Sequence, residues 1–257
     1  MNKYLVIMLC GAMSLNAQGK NDIEAMQTVV PINVDGVPNE VQWQKAQWLP
    51  MKEVMLGESP STNDFNGKYK LLWDKEHVYL LARIVDDVLY DRYSNPLENY
   101  WDDDCLEVFI DEDNSGGQHL NNFNAFAYHV ALDNQVVDIA PIDENQGAPK
   151  LFNHHVNSRW QRSSEPDNAI YWELAIKLFR DDAPYDLSND VKVENQYRVT
   201  NKVGKKLGFM LAYCDNDGSK YREHFVGSTA ITPVNGDKNL GYKTADVFDT
   251  LTLIKPN

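Results

Sequence analysis

The chain has 257 residues, 43% of them hydrophobic, with a formal net charge of −14 and a pI near 4.8. That apolar content supports a sizeable core and excludes a disordered chain. The acidic balance excludes a phosphate backbone as partner and disfavours anionic membranes, which leaves neutral or cationic ligands.

The N-terminus reads MNKYLVIMLCGAMSLNAQ. Lys3 precedes an apolar run over residues 4–13 that is too short to span a bilayer, and small residues follow. This pattern predicts a cleaved signal peptide over residues 1–18 and a secreted or periplasmic protein. Cys105 and Cys214 then remain, either as one disulfide or as two thiols. No later apolar run is long enough for a membrane span.

From residue 29 onward a period of two dominates. YKLLWD and HVYLLARIVDD flank the turn DKEH, a predicted hairpin. In CLEVFID, Leu106, Val108 and Ile110 share one face, with Glu107 and Phe109 on the other. FAYHVALD groups Phe126, Tyr128, Val130 and Leu132, and IYWELAIKL groups Ile170, Trp172, Leu174, Ile176 and Leu178. LGFMLAYCDNDG and VFDTLTLIK supply two late strands. NEVQWQKAQW is the best short helical candidate, and residues 181–206 read as a long polar loop. Short strands broken by Gly, Asn, Asp and Pro predict an all-β fold: an antiparallel β-sandwich or jelly-roll, one domain over residues 29–255.

Six patches occur in a fixed order: INVDGVPNEVQWQKAQW, KLLWDKEHVYLLARIVDD, WDDDCLEVFIDEDN, YWELAIKL, LGFMLAYCDNDG and VFDTLTLIK. Together they resemble the family 9 carbohydrate-binding modules, sugar-binding β-sandwich domains often attached to xylanases. The resemblance implies a non-catalytic protein that binds a mono-, oligo- or polysaccharide in support of polysaccharide breakdown, with glycoside hydrolases as possible partners. It also implies that Trp101 is an aromatic plate and that Glu107 hydrogen-bonds sugar hydroxyls. A second aromatic is expected near REHFVGST, where Phe225 is the nearest. A further hydroxyl contact falls near Tyr128 or His129. A pyranose presents C–H groups on its face and hydroxyls at its edge, so it suits an aromatic plate with charged groups at the rim. Trp101 beside Asp102, Asp103 and Asp104, with Glu107 on the face away from the core, offers both.

Two acidic stretches have the composition of calcium loops. Asp111, Asp113 and Ser115, followed by Gly116, match the start of a loop whose alternating oxygens point inward. Asp86, Asp87, Asp91 and Asn95 form a second oxygen-rich run. The resembled family carries structural calcium in acidic loops, so calcium is expected here, with a plain polar turn as the competing reading. DNDG at 215–218 reads as hairpin chemistry.

Two other functions stay open. Glu107 and Glu173 are strand glutamates of the kind a glycoside hydrolase pairs. Haem binding through histidine is the other, although the six histidines, His77, His119, His129, His154, His155 and His224, give no clear ligand pair.

Overall fold

The computed structural model describes residues 20–164, 166–185 and 191–256. The expected leader, residues 1–18, lies outside them. Among the described residues no helix is long and apolar enough to cross a membrane.

One strongly curled sheet supplies the whole scaffold. Its first half is built from β4 (Phe65–Trp73), β5 (Val78–Asp86), β10 (Val156–Arg162) and β11 (Ile170–Ile176), joined in the order β10-β11-β5-β4. Its second half runs β14-β12-β6-β7-β8-β9, from β14 (Asp249–Ile254), β12 (Lys206–Asp215), β6 (Cys105–Asp111), β7 (Phe126–Ala131), β8 (Val136–Asp143) and β9 (Gln146–Leu151). Short strands β2 (Leu49–Met51), β3 (Glu53–Leu56) and β13 (His224–Gly227) pair at the margins.

The sandwich is mixed, not purely antiparallel. β1 (Asp22–Gln27) runs parallel to β14 along its length and to β4 at its end, closing the two halves into one sheet. It precedes the expected start at residue 29. Its sequence, DIEAMQ, buries only Ala25 fully, so its hydrophobic signal is faint.

The alternation read from sequence sets the inner core. Leu106, Val108, Tyr128 and Val130 of one half face Leu80, Ile84, Trp172 and Leu174 of the other. Yet β6 is buried at every position, because loops cover its outer face as well. Phe109, Ala127, Met210 and Cys214 pack there beneath Phe225, Ile231 and Phe248. On the opposite half, Ile32, Trp43 and Ala46 cover Leu72, Tyr79 and Leu81. Burial on both faces is what turns an antiparallel sheet into near-continuous apolar runs.

NEVQWQKAQW forms only a 3-10 turn over Val41–Gln44, whose Trp43 donates from Nε1 to Glu173 at 2.9 Å. Glu173 also accepts the backbone N–H groups of Asp35 (3.1 Å) and Gly36 (3.0 Å), pinning this segment to β11. Gly36 has φ +81° and a Cβ there would lie 2.6 Å from Trp160 backbone, so only glycine fits. The polar stretch 181–206 contains a helix, α1 (Val191–Tyr197), where the sequence predicts a loop. Tertiary contact supplies what its periodicity lacks: Glu194 accepts from Lys177 Nζ at 2.6 Å.

Candidate functional site

A cavity of about 350 Å³ opens on the outer face of β6, β7 and β8. Glu107 rises from β6, with Ala127 and His129 beside it from β7 and Asp138 from β8. Ala127 is small enough to leave room between these polar groups. Tyr100 and Trp101 line one side from the loop entering β6, and Arg222, Asn239 and Tyr242 line it from the segments around β13.

Glu107 Oε1 lies 3.1 Å from His129 Nε2, and Oε2 lies 3.9 Å from Arg222 Nη1. Burial pushes the Glu107 carboxyl well above its usual range. Burial, and then the Arg222 charge, push His129 down to about 3. Burial pushes Asp138 up to about 7, although its two oxygens accept the backbone N–H groups of Ala127 (2.9 Å) and Ile139 (2.7 Å). The Arg222 guanidinium sits 4.2 Å from the Phe225 ring centroid and donates to Cys214 Sγ at 3.0 Å.

Trp101 is 40% exposed and meets Tyr100 edge-on, so an aromatic plate faces solvent at the mouth. Tyr242 is a third aromatic of the lining beside Tyr100 and Trp101, and sequence reasoning missed it. It belongs to the loop NLGYKT, which has no periodicity to mark it. Gly241 seats that loop: a Cβ there would come within 2.9 Å of the Phe109 ring. His119 Nε2 lies 2.7 Å from the Gly241 carbonyl and donates to it.

Of the residues expected at the sugar site, the structure brings Trp101, Glu107 and His129 together. Three others lie elsewhere. Tyr128 points into the sandwich core, 1% exposed, with its hydroxyl 2.6 Å from His155 Nδ1. It neighbours His129 on the strand, and neighbours point to opposite faces. Phe225 is 1% exposed beneath Arg222 and presents no plate. Asp104 is fully buried and accepts the N–H groups of Tyr90 (2.6 Å) and Asn216 (2.8 Å).

The acidic run is therefore a loop anchor. Asp102 accepts from Arg222 N at 3.2 Å, and Asp103 from the N–H groups of Arg92 (3.0 Å) and Tyr93 (2.9 Å). Asp102 and Asp104 hold the loop that carries Arg222 to the pocket, and Asp103 holds the Arg92–Tyr93 segment. Glu173 does not reach it: its oxygens are bound on β11 to Trp43, Asp35 and Gly36, so it forms no carboxylate pair with Glu107.

The expected calcium ligands divide in the same way. Asp111 accepts from Asp113 N (3.3 Å) and Gly116 N (2.8 Å), and Asp113 from Ser115 N (3.0 Å). These are self-capped polar turns. Asn95 is tied to Glu98 and Leu97, and Asp91 joins no carboxylate cluster found among the described residues. Asp86 instead meets Asp104 and Asp215 in a buried trio, with oxygens within 4.8 Å of one another. Asp87 meets Asp64 and Asp217 in a more exposed one, and Asp64 also approaches Asp215 and His224. Among the described residues, both Asp215 oxygens are buried without a hydrogen-bond partner. Burial first, and then mutual repulsion, raise Asp104 and Asp215 above the carboxylate range. Hard oxygen donors crowded together, those of Asp215 orphaned, fit a hard cation such as calcium.

The profile of the "Carbohydrate family 9 binding domain-like" family matches residues 34–256. The chain belongs to this family. It is a carbohydrate-binding family 9 domain on a single curled sheet, similar in fold to solved members. A family 9 module from Caldicellulosiruptor kristjanssonii, solved with glucose, superimposes with a TM-score of 0.63 at 16% identity, covering 92% of this chain and 97% of that one. A family 9 module from the same organism has also been solved with cellotriose. A carbohydrate-binding protein from Bacteroides uniformis, so described provisionally, gives a TM-score of 0.62 at 13% identity, covering 91% and 100%. Among curated proteins, an endo-1,4-β-xylanase A of Thermotoga neapolitana is 35% identical over 81 residues, 32% of this chain and 7% of that enzyme. An endo-1,4-β-xylanase A of Thermoanaerobacterium saccharolyticum is 28% identical over 198 residues, 74% of this chain and 14% of that enzyme. The chain thus spans a small fraction of the curated relatives it matches.

Proposed function

We propose that this protein binds carbohydrate without catalysing its cleavage, at the cavity between Trp101 and Tyr242. One sugar ring lies against the aromatic plates, and its hydroxyls meet Glu107, Arg222, His129 and Asn239. The observation that carries the reading is the composition of this one cavity: the aromatics Tyr100, Trp101 and Tyr242 line it together with the Glu107 carboxyl, the His129 imidazole and the Arg222 guanidinium. Aromatic faces match the C–H face of a pyranose, and the polar groups match its hydroxyl edge. The family 9 modules solved with glucose and with cellotriose support glucans as the first sugars to test.

The protein is exported through its N-terminal leader and supports polysaccharide breakdown beside partner glycoside hydrolases. The modular xylanases among its relatives support that setting. A calcium ion is held by Asp86, Asp104 and Asp215, where it neutralises three buried carboxylates and fastens the loops that carry Trp101 and Arg222.

Titration calorimetry with glucose and cellotriose tests the reading. Saturable binding at one site, lost in Trp101→Ala, supports it. Release of reducing ends from a polysaccharide by the purified protein, abolished in Glu107→Gln, contradicts the non-catalytic part.

A further inference from the structure

Cys105 on β6 and Cys214 on β12 sit directly opposite each other, both fully buried on the outer face beneath the cavity. Cys214 Sγ accepts from Arg222 Nη1 at 3.0 Å and lies 3.8 Å from Glu107 Oε2. One sulfur therefore touches both Arg222 and Glu107, which face the ligand. Arg222 also rests on Phe225, 4.2 Å from its ring centroid, so the guanidinium has few alternative positions.

We propose that Cys105 and Cys214 form a cross-strand redox couple whose state sets the position of Arg222 at the cavity floor. Residues directly opposed on antiparallel strands have Cα atoms roughly 4.5–5.5 Å apart, within the span a disulfide bridges. Because both sulfurs are buried, the exchange takes place during folding, before β6 and β12 close. A thiolate of the pair attacks a disulfide oxidant such as oxidised glutathione, giving a mixed disulfide and one glutathione thiolate. The second thiolate then displaces the second glutathione. One S–S bond forms and one breaks, two electrons pass to the oxidant, and the two protons end on the released glutathiones.

In the dithiol state Cys214 Sγ accepts from Arg222. In the disulfide state that sulfur turns toward Cys105 and is a poorer acceptor, so Nη1 closes its 3.9 Å gap to Glu107. Arg222 and Glu107 are then engaged with each other instead of the ligand. The effect on affinity rests on the sugar-binding reading; the couple and its grip on Arg222 do not.

The test refolds the full chain with oxidised and reduced glutathione, or with reduced glutathione alone. Peptide mass spectrometry reads the Cys105–Cys214 link separately from Cys10. Nitrogen-15 NMR reads the Arg222 side chain, and calorimetry reads cellotriose binding. The expected result is a linked peptide, a shifted Arg222 resonance and affinity about tenfold weaker in the oxidised form. Cys105→Ala, with Cys105→Ser as its substitute if the alanine variant fails to fold, behaves as the dithiol form under both conditions. Absence of the linked peptide overturns the proposal. So does a linked peptide with an unchanged Arg222 resonance, or with unchanged affinity in a protein that binds. If neither form binds cellotriose while the Arg222 resonance moves, the couple stands and the carbohydrate reading fails.

Discussion

Glu107 Oε1 lies 3.1 Å from His129 Nε2, directly across the β6–β7 ladder. The other ring nitrogen, Nδ1, is 3.1 Å from the Ala127 carbonyl, which can only accept. Nδ1 therefore carries the proton of the neutral ring, and Nε2 is left as an acceptor. Burial disfavours charge on both side chains, so the proton between them belongs to Glu107. Glu107 faces the cavity as a neutral acid, not as a carboxylate.

Glu107→Gln should therefore bind sugar nearly as well as the native protein. The amide N–H₂ replaces the acid proton toward His129 and keeps one acceptor for a hydroxyl. The expected loss is below about fivefold, the worth of one modest hydrogen bond. Glu107→Ala should lose more than about tenfold, because it leaves both His129 and the hydroxyl unpaired. Calorimetry on the two variants checks the order; equal losses would mean that Glu107 acts through its charge.

The pair also sets opposite pH limits on the fold. His129 titrates near 3 in the folded chain against an ordinary value of 6.5, so the unfolded state binds more protons between those values. Stability therefore falls as pH drops from about 6.5 toward 3. Glu107 is raised from 4.5, so the folded state holds its proton longer, and stability falls as pH rises above about 4.5. Asp138, raised to about 7, adds to that second slope. Thermal melts should show His129→Gln flattening the acid limb and Glu107→Gln flattening the limb above. A variant whose profile matches the native one on its own limb removes that assignment.

Much of this is legible in the sequence, and the failures have physical causes. Alternation places Val108, Tyr128 and Trp172 on the inner face correctly, because the pleat fixes side-chain direction regardless of context. That same alternation speaks against Tyr128 at the outer site. The run Asp102–Asp104 has the composition of a solvated rim, but each carboxylate caps backbone N–H groups of a distant loop, which local sequence does not encode. Tyr242 and Arg222 sit on irregular loops, where no period marks the face they present. Asp215 reads locally as hairpin chemistry, and its meeting with Asp86 and Asp104 depends on the curl of the sheet.

Calcium removal should destabilise the protein through that trio. A ligand at about 100 times its dissociation constant adds roughly 2.7 kcal/mol. For a domain of this size that corresponds to a melting temperature about 5–10 °C lower after chelation. Asp215→Asn should abolish the calcium response, whereas Asp113→Asn should keep it. A chelator-insensitive melt rules out a structural ion there, and a response lost only in Asp113→Asn returns the site to the Asp111–Ser115 turn.

Glu173→Ala should destabilise the fold by about 2–4 kcal/mol, because it orphans the Trp43, Asp35 and Gly36 donors. Sugar affinity should be unchanged, since β11 lies on the other half of the sheet. Denaturant unfolding and calorimetry together check this. A large affinity loss at full stability would revive a functional role for Glu173.

The central claim is that the Trp101 and Tyr242 cavity holds the sugar, and calorimetry of cellotriose with Trp101→Ala tests it most directly. Trp101 is 40% exposed, so its loss opens no large core cavity and the melting temperature should stay within a few degrees. Removing the plate takes away about 2–3 kcal/mol of apolar and stacking contact, roughly 30- to 150-fold in affinity. The native protein should show single-site binding that weakens by that factor in a folded Trp101→Ala variant. A destabilised variant that keeps full affinity would contradict it.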